Sequence, residues 1–247
     1  MPGDRRRPDG DIALVHSSDL HIDDSGGCGP DQATAALRAV LATARALEAD
    51  LVLLAGDTFD HHAIGAPTLA HAGALLAAAG RPVVILPGNH DPALPDCLCI
   101  RGDFAAIPGV SILGITHERA VAFPEYGLEI WGNAHRDYHD MVPLHDPPPR
   151  AMRWQVAMGH GHYEPPETWA NPLRPSWLIS DAAIAATGAD YVALGHWDRP
   201  AQVGDGTVPA FYSGAPDYAR TVNLVRLTRR GVLVSREPLS AAAAAQG

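Results

Sequence analysis

Apolar residues in this chain come in short unbroken runs that stop abruptly and give way to polar chemistry. The clearest is Leu51-Val-Leu-Leu-Ala55, followed by Gly56 and Asp57. A continuous apolar run of that length, ended by a turn residue, is the pattern of a strand buried on both faces. Residues 82–86 repeat it, and residues 12–16, 154–158 and 190–194 do so with one polar residue each. Between the first three runs the period changes. Over residues 32–48, Leu37, Val40, Leu41, Ala44 and Leu47 fall on one helical face. A second helix is predicted over residues 67–79, with Pro67 suited to its first turn. This βαβαβ alternation predicts parallel strands joined by right-handed crossovers. After Pro92 the helical period fades. Short strands are predicted at 110–113, 120–123 and 128–131, then a loop rich in His and Pro at 137–150. A helix is predicted at 177–187, and closing strands at 210–213, 222–227 and 232–236.

Length and composition add limits. The 247 residues show no linker or repeat, so residues 1–247 read as a single domain with frayed tails at 1–11 and 239–247. No apolar run approaches the ~18 residues that span a bilayer, so no membrane partner is expected. The charged start lacks an apolar segment behind it and does not read as a signal peptide. Cys28, Cys97 and Cys99 form no even framework. They read as free thiols in a reducing compartment, which predicts a cytoplasmic protein. The net charge of −10 argues against a broadly basic surface for nucleic acid, although bound cations would add local positive charge.

The chemistry sits where the runs end. Asp19 and His21 follow the first strand, two residues apart and facing the same way in extended backbone. Asp57 follows the second. Asn89, His90 and Asp91 follow the third. His160 ends the fourth, and His196 and Asp198 end the fifth. Ligands of open α/β sheets bind at such carboxyl ends. A single His or Asp there is ordinary turn chemistry; five strand ends together point to metal. Mixed oxygen and nitrogen donors suit Mn, Fe or Zn rather than Mg or Ca, with Mn favoured. The donors outnumber what one tetrahedral ion needs. Two divalent ions sharing Asp57, ~3.5–4 Å apart, would use them all, clamp a phosphoryl group and acidify a bridging water for in-line attack.

The order Asp-x-His, Gly-Asp-x-x-Asp, Gly-Asn-His-Asp, His and Gly-His resembles the calcineurin-like metallophosphoesterase superfamily over residues 12 to 218. Leu14-Val-His-Ser-Ser-Asp-Leu-His21, Gly56-Asp-Thr-Phe-Asp60, Tyr191-Val-Ala-Leu-Gly-His196 and Phe211-Tyr-Ser-Gly-Ala-Pro216 are phrased most like the SbcD/Mre11-type nuclease subunit. The resemblance implies an α/β fold, a four-layer α/β/β/α sandwich of two mixed sheets. It implies one metal on Asp19, His21 and Asp57, and a second on Asp57, Asn89, His160 and His196. It implies that His90 stabilises phosphoryl oxygens or protonates the leaving group, with Asp91 orienting His90. Asp198 stands where the family usually has a second His, and is expected to ligate directly or through water. No SbcD-like capping segment is evident. Trp197 and Tyr163 are candidate walls for a base or aryl group.

The expected function is therefore a dinuclear metal-dependent phosphoesterase, a phosphodiesterase or DNA exonuclease-like enzyme acting on a phosphoester substrate such as a nucleotide or DNA. The alternatives are a phosphomonoesterase and a non-catalytic scaffold of the same fold.

Overall fold

A computed structural model describes residues 11–164 and 176–240. Strands β1 (Ile12–Ser17), β2 (Leu51–Ala55), β3 (Val83–Leu86) and β4 (Val110–Ile112) pair in parallel, in that order. Along β1, Ala13 and Val15 face the helices, while Ile12 and Leu14 face a second sheet. Burial on both faces is why these runs carry no alternation.

Helices α1 (Pro30–Ala33), α2 (Ala35–Ala46) and α3 (Ala66–Ala77) lie on the outer side of this sheet. The single helix predicted over 32–48 is thus two. The Thr34 hydroxyl turns back to the Pro30 carbonyl at 2.8 Å and the backbone leaves helical geometry there. Helix α4 (Leu98–Arg101) is too short to leave a period in the sequence.

The second sheet holds β5 (Ala120–Phe123), β6 (Leu128–Gly132) and β7 (Trp154–His160). A small ladder pairs β8 (His162–Tyr163) with β9 (Leu178–Ile179). That pairing delays the helix predicted from 177: α5 runs Asp181–Ala186, with the Ser180 hydroxyl accepting from the Ala183 amide at 3.0 Å as its cap. Next come β10 (Tyr191–Gly195), β11 (Ala201–Val203), β12 (Ala210–Tyr212) and the short α6 (Pro216–Ala219). The chain then returns to the first sheet with β13 (Thr221–Thr228) and β14 (Gly231–Pro238).

The sheets have strand orders β14-β13-β1-β2-β3-β4 and β11-β12-β10-β7-β6-β5, each mixing parallel and antiparallel pairs. Three apolar cores separate the layers. One lies between α2, α3 and the first sheet, one between the sheets, and one between the second sheet and α5. This is the expected α/β/β/α sandwich. Most of the two segments predicted as tails lies outside the described residues, but Leu239 packs on the outer core and the Ser240 amide bonds Thr43 at 2.8 Å. Among the described residues no helix is long and apolar enough to cross a membrane.

Two features make one edge of the sandwich special. The carboxyl ends of β1, β2, β3, β7 and β10 converge there, with β2 packed close to β7 and β10. His16, buried on β1, bonds the Tyr191 hydroxyl on β10 at 2.9 Å and stitches the two sheets together.

Candidate metal centre

Pairing continues past the strand ends and shapes the loops. The Asp19 amide bonds the Gly56 carbonyl at 3.0 Å, and the His21 amide bonds the Asp57 carbonyl at 3.1 Å. Asp19, His21, Asp57 and His196 all have positive φ, from 44° to 102°. L-residues seldom accept such backbone, and it concentrates at functional sites. Glycines make the crowding possible. A Cβ on Gly88 would lie 2.2 Å from the Asp57 carboxylate, and one on Gly56, itself at φ 95°, would lie 2.0 Å from the His160 ring.

The structure brings six of the seven predicted ligands together. Asp19, His21 and Asp57 form one group, and Asp57, His160 and His196 another, each with potential ligand atoms within 4.8 Å of one another. Asp57 belongs to both. Asn89 joins the second group through its Oδ1, 3.1 Å from His160 Nε2. His160 Nδ1 donates to the Ala55 carbonyl at 2.9 Å, which aims Nε2 into the site. His21 Nδ1 is likewise held by Asp60 at 2.9 Å, leaving its other nitrogen for the centre.

Asp19, Asp57 and His160 are deeply buried, Asp57 being 2% exposed and His160 0%, while His21, Asn89 and His196 are half-buried. Burial raises Asp19 to about 6 against the opposing pull of His160, with the Asp57 charge adding to the rise. Burial would also raise Asp57, but the charge of His160, 3.0 Å away, and the His90 amide outweigh it and hold Asp57 below the usual carboxylate range. His160 shows the mirror image: burial opposes its charge, Asp57 overrides it, and the ring is lifted to about 9. Burial and the neighbouring His160 push His196 down to about 4. A proton on His160 therefore balances the Asp57 charge. Buried carboxylates beside imidazole nitrogens are a donor set that fits divalent cations.

Two expectations change. Asp91 does not orient His90. Its buried carboxylate accepts from the amides of Gly88 at 2.7 Å, Thr58 at 2.9 Å and Phe59 at 3.2 Å, clamping the loops after β2 and β3 together. His90 Nδ1 instead donates to the Asp60 carbonyl at 2.6 Å, and its ring meets His21 edge-on at 4.9 Å. Asp198 is exposed and joins none of the groups above. It follows His196, whose φ is 102°, and its carbonyl accepts from the Ala215 amide at 3.1 Å.

Other residues gain roles from the fold. Asp60 steers both His21 and His90, a role its place in Gly-Asp-x-x-Asp could have suggested. His135 is buried and bonds the His160 carbonyl at 2.8 Å. It follows the end of β6, so the strand-end rule applied once more would have found it. Ser213 bonds Ser18 at 2.9 Å, and Ser18 donates to Asp19 at 2.5 Å. That chain links the Phe-Tyr-Ser-Gly phrase to the site. His162 Nδ1 accepts from the Trp197 indole at 3.1 Å. His61 bonds Asp23 at 3.0 Å, beside the centre.

The sequence profile of the calcineurin-like phosphoesterases matches residues 12–200. No curated protein matches the chain. One similar crystal structure shares 13% identity, covering 93% of this chain and 100% of that one, with a TM-score of 0.60. A crystal structure of the protein TT1561 of Thermus thermophilus shares 14% identity over 91% of this chain and 98% of that one, with a TM-score of 0.58. At such identity the two structures bear on the fold alone.

The His160 proton sets a pH dependence. With its pKa raised from 6.5 to about 9, pairing with Asp57 stabilises the metal-free fold fully below pH 6.5 and is lost as pH rises through about 9. A cation taking Nε2 must displace that proton. Metal affinity should therefore rise with pH up to about 9, with about one proton released from this ring per chain below that pH. Calorimetry in buffers of differing ionisation enthalpy measures the release. A pH-independent affinity with no proton released would contradict the pairing.

Proposed function

The chain belongs to the calcineurin-like phosphoesterase family, and from that membership we propose that it is a dinuclear metal-dependent phosphodiesterase. Membership supports metal-dependent phosphoester hydrolysis in general. The dinuclear reading rests on one observation: the Asp57 carboxylate is common to both donor groups. In this reading Asp19, His21 and Asp57 hold one ion, and Asp57, Asn89, His160 and His196 hold the other. Manganese is the favoured metal for so mixed a donor set. Divalent ions bound there supply Lewis acidity toward a phosphoryl oxygen and acidify a water to serve as nucleophile.

The protein's own groups do the rest. The Ala55 carbonyl and Asp60 fix the faces that His160 and His21 present. His90 is the one exposed member of the cluster, so it can meet substrate. With Nδ1–H committed to the Asp60 carbonyl, Nε2 is the free nitrogen, and in the imidazolium form it carries the proton that a phosphoryl or leaving oxygen can take. The diester preference rests on the resemblance of four sequence phrases to the SbcD/Mre11-type subunit, and nucleotides or DNA are the substrates in view. The retained His90 and the complete second donor set argue for catalysis over a scaffold. Free thiols at Cys28, Cys97 and Cys99 suit the cytoplasm. Asp198, whose exposed carboxylate lies outside the groups of direct donors, would reach the first ion only through a water.

Metal-reconstituted protein should cleave bis(p-nitrophenyl) phosphate faster than p-nitrophenyl phosphate in a screen that includes cyclic nucleotides and single- and double-stranded DNA. His90→Ala should lower kcat by about a hundredfold or more while both ions stay bound. Preference for the monoester would reverse the diester reading, and loss of metal with kcat intact would remove His90 from the chemistry.

Asp198→Ala should weaken one ion by about tenfold, the scale of an outer-shell contact, and spare the other. A titration with both affinities unaltered would leave Asp198 no part in metal binding.

A further inference from the structure

We infer that the pocket walled by Trp197, Arg199 and Tyr218 beside His196 holds a planar aromatic group of the substrate ester, either a nucleobase or an aryl ring; this rests on the phosphoesterase reading above. His196 lines this pocket and also stands in the Asp57 donor group, so the pocket opens directly onto the candidate metal centre. A group attached to a phosphoryl bound there lies within reach of its walls.

The walls are built for a flat ring. Trp197 is not a loose surface side chain. It stacks on Tyr212 with centroids 4.4 Å apart and planes 10° apart, and its indole N–H is bonded to His162. Its orientation is set before any ligand arrives, which lowers the cost of binding. Tyr218 is 58% exposed, a large ring left in water at the edge of the same pocket. The Arg199 guanidinium lies 5.5 Å from its ring centroid. Aromatic faces with a planar cation hold bases by stacking, whatever their hydrogen-bonding edge.

The spacing of the walls is fixed as well. Tyr218 sits on α6, and the turn before α6 packs against the loop that carries Asp198 and Arg199. The Ala215 amide bonds the Asp198 carbonyl, and a Cβ on Gly214, at φ 76°, would lie 2.7 Å from that same carbonyl. Among the described residues, Arg199 is the only arginine lining the pocket. Such a surface selects a ring carried beside the phosphorus rather than a long polyanion.

Calorimetry on the full-length, metal-loaded protein with methyl phosphate, phenyl phosphate and thymidine 5′-monophosphate tests this. In the unsubstituted protein the two aromatic esters should bind more tightly than methyl phosphate. Tyr218→Ala should weaken them by about tenfold and leave methyl phosphate unchanged, while Tyr218→Phe keeps the advantage. Thymidine binding tighter than phenyl identifies a nucleobase pocket; the reverse identifies an aryl pocket. Equal binding of all three, or an aromatic advantage that survives Tyr218→Ala, overturns the pocket and leaves the phosphoesterase reading intact. Failure of methyl phosphate to bind and of every phosphoester to turn over removes that reading and this inference with it.

Discussion

A carboxylate buried at the seam of two sheets needs a compensating charge, and Asp57 is that carboxylate. It lies at the end of β2, against the ends of β7 and β10, with almost no contact with water. Asp19 and Asp91 are buried near it, and each is pushed up to about 6 by burial, with the Asp57 charge contributing. Three acidic groups in so dry a place are costly unless cations or donated protons balance them. His160 supplies a proton, and backbone amides of Gly88, Thr58, Phe59, His90 and His196 supply hydrogen bonds. Divalent ions fit the same balance, which is why the donors converge on this point.

The loops carry strain to achieve that convergence. Left-handed backbone at a non-glycine residue costs about 1–3 kcal/mol. Asp19, His21, Asp57 and His196 all adopt it. The cost is offset by the ladder that continues beyond β1 and β2, and by the Asp91 clamp that ties those loops to the turn after β3. The donors are thereby held in place by backbone before any ligand is present.

Much of this is legible in the sequence because both signals are local. A run of apolar residues marks a strand, and the residue after its terminal glycine marks the site edge. That rule finds Asp57, Asn89, His160 and His196, and Gly56, Gly88 and Gly195 prove to be places where no Cβ fits. Contacts between distant segments are not local, and there the reading fails. Asp91 is adjacent to His90 in sequence, yet the turn sends its carboxylate to Thr58 and Phe59, while His90 turns to Asp60. Asp198 is two residues from His196, but its carbonyl is tied to the Ala215 amide and its side chain stays exposed, outside the donor groups. His135 and Ser213 matter only through partners 25 and 195 residues away.

The central claim is that one carboxylate joins two ions, and magnetic resonance addresses it most directly. Two manganese ions joined through Asp57 are exchange-coupled; two that merely share a cleft are not. Manganese-loaded protein should bind two ions per chain and give the broad, temperature-dependent spectrum of a coupled pair. A single ion per chain, or two ions with the separate six-line spectra of isolated manganese, would contradict the account.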